Sequence, residues 1–304
     1  YCIARAYIRE AMSRGLNVDD FAERLSFNFD IFGNLFEQVA KFRAARKLWA
    51  KILHDEFGAR KPGTMQMKMI AGGGGGGLTI EQPENNIVRG AYYALISALS
   101  GAQTMALCSY DEAYTIPTEK AALISLRTMQ ILVEEMGLCD AVDPLGGSYY
   151  IEWLTNELEK RIVAEMKRVD TEMGGIVRAV GEGAVQREVA HQALKFEKGL
   201  QDGSIPKVGV NRYRMDAPQE QRDVELHEYK HEQAEDAIRR THAIRASRDA
   251  KAAAAALEKV REAAANGQNV MPAMMEAVRA YATLGEFTKT LKQVFGEFRE
   301  PVRL

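Results

Sequence analysis

Apolar positions along the first half of the chain alternate between two periods. Short runs at residues 24–30 (RLSFNFD), 65–71 (MQMKMIA) and 104–109 (TMALCS) predict strands. Between them, residues 34–57, 86–100 and 118–135 repeat at helical spacing, as Leu35, Phe36, Val39, Phe42, Leu48 and Trp49 do in the first of these segments. Asn34 suits the N-cap of that helix. Residues 139–144 read as a fourth strand ahead of the turn Leu145-Gly146-Gly147. Four strand-then-helix steps predict a parallel α/β architecture and fit half of an eight-stranded barrel.

Beyond residue 152 helices are expected to follow one another, at 153–172 and 183–202, before a strand-like VGVNRY at 208–213. Residues 216–248 carry both charge signs densely, and 249–266 are rich in Ala, Lys and Glu, which predicts exposed helices with a narrow apolar stripe. Residues 271–294 return to a clear amphipathic pattern. The expected organisation is therefore a half-barrel over residues 1–152 and a mainly helical segment over 153–304.

Composition narrows the function. The chain has 304 residues, 46% of them apolar and 27% charged, with a formal charge of -2. That balance gives no basic field for nucleic acid or an anionic membrane. With no apolar run of about 18 residues and no signal-like start, a cytoplasmic protein is expected. The chain opens on Tyr1 and not on Met, so a preceding portion is expected as well. Cys2, Cys108 and Cys139 are widely spaced and read as reduced thiols in structural positions.

Two local motifs invite chemistry. His227, Glu228 and His231 spell the zinc-protease signature. Lys230 between the two histidines, with Glu225, Glu232 and Glu235 around them, argues for a solvated charged helix instead. His54, His191 and His242 stand without partners in a recognisable spacing and read as structural. The six glycines from Gly72 to Gly77 follow a strand-like run at the carboxyl end, where barrel active sites are built. A flexible spacer would sit between domains, so lining a site is the preferred reading. The tract matches Gly-x-Gly-x-x-Gly only trivially, without a dinucleotide-binding context.

Seven blocks carry a resemblance: RLSFNFD at 24–30, EQVAKFRAARKLWAKI at 37–52, LTIEQPENNIVR at 78–89, SYDEAYTIPTEKA at 109–121, DPLGGSYYIEWLT at 143–155, MGGIVRAVGEG at 173–183 and VGVNRY at 208–213. Together they resemble the large subunit of the methylmalonyl-CoA mutase family across nearly the whole chain. The resemblance implies a (β/α)8 TIM barrel, of which about the last four β/α units are present, holding an acyl-CoA along its axis. It also implies adenosylcobalamin, whose adenosyl radical abstracts hydrogen so that the carbon skeleton rearranges. The family's Asp-x-His-x-x-Gly cobalamin motif occurs at none of the five histidines. A separate small cobalamin-binding subunit is therefore implied, together with the amino-terminal half of the barrel, which holds the family's tyrosine and histidine at the reacting centre. A GTPase chaperone of the mutase family is a further implied partner.

Carried over position by position, Arg24 and Ser26 fall on residues that contact the CoA part, Gln103 on a glutamine near the acyl group, and Glu112 and Thr115 on positions meeting the corrin. The departures lie in the glycine tract. Ile70 stands where the family has a substrate-binding histidine, Gly72 where it has a glutamine, and Gly76 where it has a bulky aromatic close to the corrin. Losing volume and polarity together points to a bulkier or more apolar acyl group than methylmalonyl, such as an alkyl- or aryl-substituted succinyl-CoA interconverting with its malonyl isomer. The rival expectation is a non-catalytic homologous subunit that scaffolds an active partner.

Overall fold

The computed structural model describes residues 1–216 and 225–300. They separate into two compact units, Tyr1–His227 and Glu228–Glu300. In the first, helix α1 (Cys2–Ser13) precedes strand β1 (Ser26–Asp30), followed by α2 (Leu35–Lys51), β2 (Lys68–Gly72), α3 (Asn85–Leu99), β3 (Thr104–Ala106), α4 (Glu119–Glu134), α5 (Tyr149–Thr171), α6 (Ile176–Gly181) and α7 (Ala184–Gln201). The unit is mostly helical around a small parallel sheet in the order β1-β2-β3. Ser26 to Asp30 pair in register with Lys68 to Gly72, and Ile70 to Gly72 with Thr104 to Ala106.

Helix α2 shows why this order folds. The Asn34 side chain accepts from the Glu37 amide at 3.1 Å and caps its start. Val39, Phe42, Ala45, Leu48 and Trp49 then recur on one buried face. Phe42 and Trp49 are 0% and 1% exposed, and each contributes about 2–3 kcal/mol through apolar burial. Phe27 packs edge-on to Trp49 at 4.9 Å and Phe29 to Phe42 at 5.6 Å, so one face of β1 is glued to the helix. The helix ends in a wide turn at Ile52–Glu56, and Gly58, with φ +71, lets the chain reverse. On its outer side Arg43 reaches Asp143 at 3.0 Å, Glu152 at 2.7 Å and Thr155 at 3.1 Å, while Lys47 and Lys51 both reach Glu159. These contacts bring α5 against α2, so α5 to α7 belong to the same unit as the sheet.

Two expected strands do not form. Residues 139–144 are turns and bends with no sheet partner. Gly137 has φ +63 and Asp143 has φ +48, and the Asp143 carboxylate is committed to Arg43, so this chain cannot lie flat beside β3. Among the described residues, three of the four strands expected for the half-barrel therefore form. Residues 208–213 form a tight turn closed by a lone bridge between Val208 and Arg212. Gly209 takes φ +86, and Asn211 donates to Leu200 and Ile205 carbonyls, both at 2.8 Å, while accepting from the Lys207 amide at 2.7 Å. Asparagine turn chemistry overrides the β-branched composition.

The second unit holds α8 (His231–Ser247), α9 (Ala250–Ala265), α10 (Met271–Arg279) and α11 (Leu284–Phe295). Of the charged stretch expected to be helical at 216–248, residues 217–224 lie outside the described residues and 225–230 are irregular. The single amphipathic segment expected at 271–294 is two helices. Tyr281 turns the chain at φ +59, and Thr283 with Glu286 forms a capping box that starts α11. Ala256, Val260, Ala277 and Phe287 form the buried cluster of this unit.

Glu286 also binds Arg248 through both carboxylate oxygens. This partner first, and the Thr283 amide and hydroxyl after it, lower the Glu286 carboxyl from 4.5 to about 2. A depressed folded value means its contribution is complete above about pH 4.5 and is lost as pH falls toward 2. We expect helicity of this unit to fall across that window, and Glu286→Gln to lower stability at neutral pH while flattening the acid dependence. Circular dichroism against pH for both proteins checks this. Parallel curves would show that another group controls it.

Candidate functional site

The alternation in β1 sends Phe27 and Phe29 to the helix side and leaves Ser26, Asn28 and Asp30 exposed on the other face. In register, Ser26 lies beside Lys68, Asn28 beside Ile70 and Thr104, and Asp30 beside Gly72 and Ala106. These rows cross an uncovered sheet face at intervals of about 7 Å. Ile70 stands at its centre, 38% exposed. A cleft of about 570 Å³ beside the amino edge is lined by Ser26, Lys68, Ile70, Gln103 and Thr104.

At the amino edge Arg24 ends a short helical turn, Ala22–Arg24, and is exposed without an ion-pair partner among the described residues. Gln103, just ahead of β3, behaves as a piece of strand. Its carbonyl oxygen accepts from the Met69 amide at 3.0 Å and its amide nitrogen donates to the Met67 carbonyl at 3.2 Å. Much of its polar capacity is thus spent on holding β2.

The glycine tract is two structures in one. A Cβ on Gly73 would lie 2.2 Å from the Cys108 amide nitrogen and 2.4 Å from the Ala106 carbonyl. One on Gly74, whose φ is +74, would strike the Tyr93 ring at 2.4 Å, and one on Gly77 the Tyr93 hydroxyl at 2.3 Å. These three glycines are buried and permit close backbone approach. Gly75 and Gly76 are exposed. A Cβ on Gly76 would meet only Asp30 Oδ2 at 3.7 Å and the Phe32 ring at 4.0 Å. Gly72 is intermediate, since a Cβ there would come within 3.1 Å of the Phe29 carbonyl.

The loop after β3 adjoins this ledge. A Cβ on Gly75 would lie 3.4 Å from Cys108 Sγ. Burial, and after it the neighbouring Glu112 carboxylate, pushes the Cys108 thiol up to about 11, so it stays protonated at neutral pH. Glu112 accepts from the Ser109 amide at 2.6 Å, and Thr115 Oγ1 accepts from the His227 amide at 3.0 Å. Buried Asp111 accepts from the amide and hydroxyl of Thr118, the residue that caps α4. Asn86 ties the two loops together by donating to the Thr79 carbonyl at 2.8 Å and the Tyr110 carbonyl at 2.9 Å. Outside the glycines, Lys207 donates to the Gly77 carbonyl, Arg89 to the Val208 carbonyl at 2.7 Å and Gln82 to the Tyr213 carbonyl at 3.0 Å. Burial lowers the Lys207 ammonium, with Arg89 adding to the effect.

The residues singled out from sequence therefore divide by height along the sheet. Arg24, Ser26 and Gln103 lie at the amino edge, Gly72, Gly76, Glu112 and Thr115 at the carboxyl edge, with Ile70 between. Asn28, Asp30 and Thr104, which share the open face, were missed. For Asn28 and Asp30 the signal was the strict polar alternation of SFNFD. The zinc-like motif has a different setting: His231 is the first residue of α8 and His227 precedes the helix in irregular chain, so the one-turn helical spacing is not formed.

Comparison with known proteins matches residues 2–297 to the family model described as methylmalonyl-CoA mutase. The 2-hydroxyisobutanoyl-CoA mutase large subunit of Aquincola tertiaricarbonis is 41% identical over 295 residues, covering 97% of this chain and 52% of that protein. The methylmalonyl-CoA mutase of Cereibacter sphaeroides is 40% identical over 300 residues, 98% of this chain and 42% of its own. The human mitochondrial methylmalonyl-CoA mutase is 34% identical over 301 residues, 98% and 40%. The chain belongs to the methylmalonyl-CoA mutase family. It spans about half the length, or somewhat less, of these relatives.

Proposed function

We propose that residues 1–152 form the carboxy-terminal half of a (β/α)8 TIM barrel, continued by the helical segment 153–304, in an adenosylcobalamin-dependent mutase that rearranges the carbon skeleton of a bulky acyl-CoA. The open sheet face carries this reading, with exposed Ile70 at its centre and a side-chain-free Gly75–Gly76 ledge at its carboxyl edge. The three parallel strands support a barrel sector whose uncovered face belongs inside. Its polarity supports a substrate lying along the strands, with the Arg24 cation and the Ser26 hydroxyl at the end suited to the phosphates and polar groups of CoA. A relative named for 2-hydroxyisobutanoyl-CoA supports acyl groups other than methylmalonyl within the family.

The carboxyl edge fits a flat macrocycle. Gly75 and Gly76 present backbone only, Glu112 keeps lone pairs beyond the one bonded to Ser109, and Thr115 keeps its hydroxyl hydrogen as a donor. Cobalamin, when bound, supplies the cleavable cobalt–carbon bond, and this chain binds, orients and shields the substrate. The partners of this reading are a small cobalamin-binding subunit, the amino-terminal half of the barrel and a GTPase chaperone.

The test is turnover of an acyl-CoA panel by the full-length protein with its cobalamin subunit and adenosylcobalamin. The panel holds methylmalonyl-CoA, alkyl- and aryl-substituted succinyl-CoA esters and branched hydroxyacyl-CoA esters. Bulky esters are expected to outrun methylmalonyl-CoA, and Gly76→Phe to lower the bulky-to-small rate ratio by about 5- to 150-fold as overpacking fills the ledge. A panel without turnover, or a ratio unmoved by the variant, would sink the reading.

A further inference from the structure

We infer that Asp30 selects the polar group of the acyl substrate: its Oδ2 accepts a hydrogen bond from a hydroxyl on the acyl chain and repels a second carboxylate. This rests on the mutase reading and narrows its substrate class to hydroxyacyl-CoA esters, in place of the substituted succinyl esters expected from sequence.

The orientation of Asp30 is fixed by the backbone around it. Its Oδ1 accepts from the Ile31 amide at 3.0 Å and from the Gly74 amide at 2.9 Å, so the carboxylate cannot turn without releasing the glycine loop. Oδ2 makes no hydrogen bond among the described residues and borders the ledge, 3.7 Å from where a Gly76 Cβ would sit. Its partners in the row are Gly72 and Ala106, which offer at most a methyl group. Phe32 and Ile70, each partly exposed, supply apolar walls nearby. The result is one acceptor without a hydrogen bond among the described residues, on the open face between the apolar side chains of Phe32 and Ile70.

Among the described residues no cation contacts this oxygen directly. Lys41 lies on the helix side of the sheet, with its ammonium 4.5 Å from the Phe42 ring centre, and reaches only the main-chain carbonyl of Asp30 at 3.4 Å. Lys68 shares the open face but stands two rows away, paired with Glu23 at 3.6 Å. A diacid ester would bring a second anion against a carboxylate that has no ion-pair partner among the described residues, whereas a hydroxyl brings the donor that Oδ2 lacks. Sites that hydrogen-bond a substrate hydroxyl discriminate strongly once the bound ester excludes water from the acceptor, which is then left unpaired by an analogue without the hydroxyl.

Asp30→Asn is the test. It keeps an oxygen for the Ile31 and Gly74 amides and turns the free acceptor into a donor. In the full-length protein with its cobalamin subunit, kcat/KM for a branched hydroxyacyl-CoA relative to methylmalonyl-CoA is expected to fall by about 10- to 150-fold, the range for losing a hydrogen bond to a charged group. Competitive binding of the two esters, measured without turnover, should shift in the same sense even where the variant reacts slowly. Equal changes for both esters would reduce Asp30 to a loop anchor and overturn the inference. Wild-type turnover of diacid esters alone would overturn it while leaving the mutase reading intact. Absence of turnover with any ester removes the mutase reading, and the inference with it.

Discussion

Gly73→Ala is expected to destabilise the first unit by about 3 kcal/mol, near the upper end of the cost of overpacking. The added methyl would overlap the Cys108 amide and the Ala106 carbonyl at 2.2 and 2.4 Å, and both are main-chain atoms that cannot rotate away. Relief requires β3 to move off β2, which breaks the short pairing of Ile70 to Gly72 with Thr104 to Ala106. For a unit of this size the melting temperature should drop by about 6–12 °C. Gly75→Ala is the control, since its nearest neighbour is Cys108 Sγ at 3.4 Å and the change should stay within about 0.5 kcal/mol. Equal melting temperatures for the two variants would mean that the tract is loosely held and not packed.

Asn86→Ala should be as damaging, for a different reason. Asn86 is 1% exposed, and its amide answers the Thr79 amide at 3.1 Å and the Thr79 and Tyr110 carbonyls. It also accepts from Arg89 at 2.8 Å. Truncation strands these groups away from water at about 1–3 kcal/mol each, so a total of about 3 kcal/mol or more is expected. Denaturant unfolding measures it. Asn86→Asp separates the terms, because it keeps the acceptors but removes both donated bonds, and it should recover only part of the loss. A fully stable Asp variant would show that the donated bonds to Thr79 and Tyr110 contribute nothing.

Local rules made much of the first unit legible. The helical period of 34–57, the Asn34 cap and the alternation of SFNFD each point to one structure, and each is found. Legibility failed where a side chain was recruited from far away. Residues 139–144 look strand-like until Asp143 is claimed by Arg43, a partner 100 positions earlier. Asn211 likewise converts VGVNRY into a turn through bonds to Leu200 and Ile205. The break between α10 and α11 was readable in the Thr283–Glu286 capping box, but a continuous amphipathic period masked it. At the site, composition identified the glycine tract yet could not divide it into buried and open members, because that division depends on Tyr93, Ala106 and Cys108. Asp30 escaped notice for the same reason: its meaning lies in the bare row beside it.

The Arg43 clamp also bears on the order of assembly. It joins α2 to groups 100, 109 and 112 positions further along the chain. Such closures are costly in chain entropy until the intervening elements are compact, so they belong late on the folding route. Interactions made after the transition state change the rate of leaving the native state more than the rate of reaching it. Arg43 therefore acts as a latch: it does little to recruit α5 and much to set how long α5, once docked, stays in place.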